Sequence, residues 1–133
     1  MKVYKDGMTL MKDTCSITNA LMENKSREIK EGDTFAILMW SDRSLWKVTK
    51  VVSQTEFYAE RVETYMKDWA DGTEYPKRDE SGNIVTSGQP VKYKKSRKYW
   101  YEWWANAQGV YYKTECKVHF AWGETTGYRD PSF

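Results

Sequence analysis

The chain has 133 residues, 21 of them basic and 19 acidic, for a formal net charge of +2, and it carries seven Trp, ten Tyr and four Phe. That length predicts one domain, which buries roughly two-thirds of its unfolded surface and needs no metal or disulfide to fold. The near-neutral balance argues against an obligate nucleic-acid binder. No apolar run approaches the ~20 residues of a membrane span, and Met1–Leu10 lacks an apolar signal-peptide core, so a soluble cytoplasmic protein is expected.

In chain order, Asp13, Thr14 or Ser16 caps a short helix through Ile17, Leu21 and Met22, whose spacing gives one apolar face. Gly32-Asp33 then opens the best strand, Thr34 to Trp40, apolar on both sides and so suited to burial on both. Ser41-Asp42-Arg43-Ser44 is a polar connection. Trp46 to Val52 and Glu56 to Val62 follow as strands, split by Ser53-Gln54-Thr55, and the three together describe an antiparallel meander. Residues 63–98 lose nearly all their Val, Ile and Leu; with turn signals at Asp71-Gly72 and Ser81-Gly82-Asn83 they read as a long polar hairpin or insertion. Tyr99 to Trp104 is a strand or the start of a helix, and Ala105 to Gly109 marks a turn. Tyr111 to Trp122 resumes as one strand, Cys116, Val118, Phe120 and Trp122 alternating with Glu115, Lys117 and His119. The tail Gly127-Tyr128-Arg129-Asp130-Pro131-Ser132-Phe133 is irregular.

Catalytic and metal chemistry find little purchase. Nucleophilic catalysis needs a base beside the nucleophile, and the single histidine, His119, lies three residues from Cys116, on the opposite face of a strand. Cys15 and Cys116 are far apart, outside any CxxC, and are expected as buried free thiols in a reducing compartment. A zinc site wants three or four soft ligands at close spacing. The glycines form no phosphate loop.

Binding is better served. A small domain rarely hides this many large rings, so some are expected to face a groove, a ligand or another chain. The basic run Lys92, Lys94, Lys95, Arg97, Lys98 leads straight into Tyr99, Trp100, Tyr101, Glu102, Trp103, Trp104. It reads as a solvated loop before a core strand, as a nucleotide-shaped site in which cations meet phosphate and rings stack on bases, or as a protein interface. Trp40-Ser41-Asp42-Arg43 and Tyr128-Arg129-Asp130 each join a ring to an Arg and an Asp. The planar guanidinium suits phosphate or carboxylate, and equally a structural ion pair.

The order Gly32-Asp33, strand, Trp40-Ser41-Asp42-Arg43, strand, polar insertion, aromatic strand, then Gly127 to Phe133 resembles a family of short proteins from tailed-phage genomes and phage-derived metagenomes. The likeness spans residues 32–133. Through it the layout is similar to the Thoeris anti-defence sponges, oligomeric phage proteins that sequester cyclic ADP-ribose-type signals, and in some cases cyclic oligonucleotides, without cleaving them. The resemblance implies that Arg129 is a pocket arginine. Thr125 stands where the pattern has a second arginine, four residues earlier.

These readings predict a mostly β (α+β) single domain: a twisted antiparallel sheet or partly open barrel with one or two short helices, with exposed edges that favour a homo-oligomer. The expected function is a phage accessory protein in the host cytoplasm that captures a nucleotide-derived signal and breaks no bond, without cofactor or metal. Its expected ligand-binding residues are Trp40, Asp42, Arg43, Arg61, Tyr128 and Arg129, followed by Arg97 and Trp100. One alternative is an inhibitor of a host defence or CRISPR protein acting through exposed aromatics. Another is a nucleic-acid-binding module acting through the basic run, marked by steep salt dependence.

Overall fold

The computed structural model describes residues 28–131. Among them the chain forms ten strands and no helix: β1 (Thr34–Leu38), β2 (Arg43–Ser53), β3 (Glu56–Val62), β4 (Thr64–Met66), β5 (Thr73–Pro76), β6 (Thr86–Ser96), β7 (Tyr99–Ala105), β8 (Tyr111–Val118), β9 (Phe120–Trp122) and β10 (Gly127–Tyr128). The protein is therefore mostly β, built on one antiparallel sheet that is not closed into a barrel. The expected helix through Ile17, Leu21 and Met22 lies outside the described residues.

The main path runs β4-β5-β10-β2-β3-β6-β7-β8, with β1 pairing both β2 and β9. β8 passes through His119 into β9, and β9 pairs β1, so one continuous run of chain links the β8 edge of the sheet to β1 beside β2 and curls the sheet between them. The meander expected from β1 to β3 is present. Curling encloses an aromatic core. Phe35, Phe57 and Tyr93 are fully buried, and Trp100, Phe120 and Trp122 nearly so. The Phe35 ring lies 5.0 Å from Phe120 and 4.8 Å from Trp122, while Phe57 stacks on Tyr93 at 5.4 Å. Edge-on and offset pairs of this kind add about 0.5–1.5 kcal/mol each beyond the area they bury.

Several boundaries differ from the sequence reading. β1 stops at Leu38, because Met39 and Trp40 turn outward and Met39 N donates to Asp42 O. Arg43 and Ser44 belong to β2 rather than to the connection, since β1 pairs with them directly. Tyr99–Ala105 is a strand. Tyr111–Trp122 is two strands: His119 breaks the run, and its carbonyl accepts from Leu38 N at 2.9 Å. Past that break Phe120, Ala121 and Trp122 are all buried, so strict alternation fails there. Cys116 is exposed, not buried.

The polar segment 63–98 is not one excursion. It supplies the hairpin β4–β5, a short turn region bridged by Arg78 and Ile84, and then β6, which lies inside the sheet between β3 and β7. β6 is hard to read because it is bulged. Its register against β3 jumps from Arg61↔Ser87 to Ala59↔Val91. The extra residues include Gly88 at φ +80° and Pro90, which has no amide to give to a ladder.

Candidate ligand-binding face

Alternation along the strands sends one set of side chains to the core and the other to the far face of β2, β3, β6, β7 and β8. In β6, Tyr93 points inward while Lys92 and Lys94 point away. In β7, Trp100 points inward while Tyr99, Tyr101 and Trp103 share the outer side. The register sets these directly opposite one another: Tyr58↔Lys92, Lys92↔Trp103, Lys94↔Tyr101, Trp103↔Lys113 and Tyr101↔Lys117. Each lysine therefore faces a ring on the neighbouring strand.

The contacts follow from that register. Lys113 Nζ lies 4.3 Å from the Tyr101 ring centre, and Lys117 Nζ 4.3 Å from that of Tyr99. Lys94 sits 5.4 Å over Trp103, and Lys50 5.7 Å over Tyr58. Lys92 touches three rings, Trp103 at 4.8 Å, Tyr111 at 5.6 Å and Tyr58 at 5.9 Å, and pairs with Glu56 at 3.6 Å. Its side chain is 15% exposed, so it is a pillar inside the face, whereas Lys50, Lys94, Lys113 and Lys117 are open to solvent. Tyr111 donates its hydroxyl to Pro90 O at 2.8 Å; burial, with the neighbouring Tyr58, pushes its pKa up. Around these rings Lys50, Lys92, Lys94, Lys113 and Lys117 outnumber Glu56 and Glu115, so this part of the face is positive on a chain of almost balanced charge.

β8 is bulged where it crosses this face. Lys113 and Lys117 are four residues apart yet oppose Trp103 and Tyr101, which are two apart. Thr114 fills the irregularity by donating Oγ1 to Glu102 O, and Cys116 N donates back to Thr114 Oγ1. The bulge opens a recess of about 410 Å³ lined by Tyr101, Lys113, Thr114, Glu115 and Lys117. A bulged, lysine-rich edge is also a poor template for strand addition. A second recess, about 610 Å³, lies between the β4–β5 hairpin and the β9–β10 connection, lined by Tyr65, Tyr75, Pro76, Arg78, Thr125 and Thr126.

The residues expected from sequence to bind ligand divide into two sets. Asp42, Arg43, Tyr128 and Arg129 are brought together. Tyr128 pairs across the ladder with Arg43, whose guanidinium lies 4.7 Å over its ring. Asp42 Oδ1 accepts from Asp130 N at 2.7 Å, and Arg129 Nε lies 3.5 Å from Glu74 Oε2. This cluster clips the C-terminal strand between β2 and β5, and Trp40, 54% exposed, stands at the same end. The other three lie elsewhere. Arg61 is near the end of β3, opposite Trp46 and Ser87. Arg97 sits in the β6–β7 turn at φ +60°. Trp100 is 8% exposed and packs on Phe57 and Phe120, so it is a core residue.

Sequence reasoning singled out the block 92–104 but not the alternation within it. Lys92-x-Lys94 and Tyr99-x-Tyr101-x-Trp103 repeat at period two, which is the signal for a shared strand face. Lys113, Lys117 and Tyr58 carried no such signal, because strand pairing and the β8 bulge bring them in. Among the described residues, no group of three or more His, Cys, Asp or Glu side chains is placed to hold a metal ion. In comparisons with known proteins, no family model, curated protein or solved structure matches the chain.

Proposed function

We propose that the protein is a non-catalytic binding protein for a nucleotide-type ligand, captured on the lysine–aromatic face. One observation carries the reading: seven lysine–ring contacts fall on the same side of five neighbouring strands. Phosphate and base are the ligand chemistry that uses both halves of such a pair. An exposed cation–ring contact is worth about 0.5–1 kcal/mol, whereas a base stacked on an aromatic side chain contributes about 1–3 kcal/mol. Exchange is thus favourable: the ammonium swings out to a phosphate and a base takes its place on the ring. The resemblance to phage anti-defence sponges supplies the setting, a phage accessory protein in the host cytoplasm that sequesters a nucleotide-derived signal intact, as a homo-oligomer. The cluster of Arg129 and Trp40 lies apart from this face, at the Arg43 end of β2.

The test is native mass spectrometry of protein purified from cells that make cyclic ADP-ribose isomers and cyclic oligonucleotides, beside the Trp103→Ala and Lys113→Ala variants. A nucleotide mass on the parent, released unchanged by heating and lost from both variants, supports the reading. A nucleotide retained equally by all three moves the site off this face. A second reading, inhibition of a host protein, is favoured by Trp69 and Trp40, exposed by 73% and 54%, since tryptophans are common interface anchors. It predicts a stoichiometric host partner in a pull-down, lost on Trp69→Ala.

A further inference from the structure

The face is larger than a mononucleotide, and its dimensions select among nucleotide ligands. Adjacent strands lie about 4.8 Å apart, so the three spacings from β3 to β8 put Tyr58 and Lys113 about 14 Å apart across the sheet. Along β7, Tyr99 and Trp103 are four residues apart, about 13 Å at strand rise. A single nucleotide unit covers only part of this face, which leaves room for several units in a row. The recess at the β8 bulge is open on the side of this face, so it does not enclose a ligand as small-molecule sites do.

The rings also exclude a simple electrostatic dock for duplex. Base faces in a duplex are stacked on one another, and only unpaired bases can lie on a protein ring. A duplex would meet the lysines and leave Tyr99, Tyr101 and Trp103 without a role. Sheets that bind single strands stack two or three bases on aromatic side chains, and the area here holds that number. Charge complementarity runs the same way, with four solvent-open lysines spread across the face rather than gathered at one point.

We infer that the lysine–aromatic face binds a single-stranded nucleic acid, laid across β3, β6, β7 and β8, with bases on Tyr101 and Trp103 and phosphates at Lys94, Lys113 and Lys117. This rests on the nucleotide reading above and names the ligand of the face as a whole. The β8 bulge gives the strand its anchor, since it turns Lys113 and Lys117 toward one recess beside Tyr101. Lys92 positions the platform without touching ligand.

The experiment is a fluorescence-anisotropy titration of the full chain with labelled oligo(dT) and oligo(U) of about 12 nucleotides, within the usual range of single-strand site sizes. A matched duplex and a fluorescently labelled cyclic dinucleotide are titrated beside them. Three lysines neutralising phosphates predict a log–log salt slope of about −2.1, from about −0.7 per contact. Lys94→Gln and Lys113→Gln should each reduce the slope by about 0.7, and Tyr101→Ala should weaken binding roughly 5- to 150-fold, the value of one stacked base. Circular dichroism confirms that each variant is folded. A preference for oligo(U) or oligo(dT) identifies the strand type, and either supports the inference. Duplex bound as well as single strand overturns it. Cyclic dinucleotide bound through Lys113 and Tyr101, with no oligonucleotide binding, overturns the inference and leaves the nucleotide reading standing. No binding of any of these overturns the inference, and the absence of any nucleotide mass in the native mass spectra overturns the nucleotide reading with it.

Discussion

Gly72 tests whether the C-terminal clip is held by backbone contact. Its φ is +74°, and an added Cβ would overlap the Arg129 carbonyl oxygen and lie 2.8 Å from Tyr128 Cε1 and 3.1 Å from Pro131 Cδ. Arg129 N donates to Gly72 O at 2.8 Å, so the two backbones meet there with no room for a methyl group. In Gly72→Ala the left-handed conformation alone costs about 1–2 kcal/mol. Relieving the overlap means moving residues 128–131 away. That sacrifices the Arg129–Gly72 hydrogen bond, about 1 kcal/mol, and the bond from Asp130 N to the Asp42 carboxylate, about 1.5–3 kcal/mol. Loss of about 3 kcal/mol or more is expected, a fall in Tm of roughly 10 °C for a domain of this size. Gly82→Ala is the control. It has φ +84° with nothing within 4 Å, so it carries only the dihedral penalty. Thermal unfolding followed by circular dichroism compares the two, and hydrogen exchange at the Arg129 and Asp130 amides reports opening of the clip. If Gly72→Ala is no less stable than Gly82→Ala, the close approach does not hold the terminus and the reasoning fails.

Three further outcomes follow from the same geometry. Lys92→Met keeps the aliphatic stem but removes the caged charge, trading a desolvated cation–ring contact of about 2 kcal/mol for a sulfur–ring contact of about 0.3–1.5 kcal/mol. Urea unfolding should show a net loss near 1 kcal/mol; unchanged stability would mean the stem alone holds the site. Glu102 is raised above its ordinary value of 4.5, chiefly by burial, against bonds from Trp104 Nε1 and Tyr93 Oη that favour the charged form. The folded state therefore binds this proton more tightly, so stability is full below 4.5 and falls as pH rises through the folded pKa. Glu102→Gln should flatten that decline in urea midpoints measured across the acidic range, and an unaltered pH profile would refute the assignment. Arg97 holds φ +60° in a tight turn, so Arg97→Gly should raise stability by about 0.5–1 kcal/mol with ligand affinity unchanged. A large loss of affinity would make Arg97 a ligand contact, as the sequence suggested.

Local pattern was a sound guide wherever clear turns bound an alternating run. β3 falls at Glu56–Val62 as expected, because two clean turns bound an alternating run. β6 was hidden because its bulge, with Gly88 and Pro90, breaks the period of two and its residues are polar on the open side. Tyr93 sits at zero exposure within it, yet nothing local separates that ring from the half-buried tyrosines nearby. Trp100 and Trp103 likewise look alike in sequence, and only strand phase sends one to the core and the other to the lysines.

The sequence by itself determined the class of this protein: a β-rich single chain with more rings than one core absorbs, cations set among them, and two Arg–Asp pairs, Asp42-Arg43 and Arg129-Asp130, each beside an aromatic ring. Alternation and turn chemistry are local, and they survive without knowledge of partners. Only the tertiary structure decided which rings and lysines meet. Lys113 and Lys117 reach Tyr101 and Tyr99 through the β7–β8 register, and Lys92 reaches Tyr58 through the β3–β6 register, across 34 positions of sequence numbering. Such contacts arise from hydrogen-bond register between strands, where a shift of one residue would exchange the two faces.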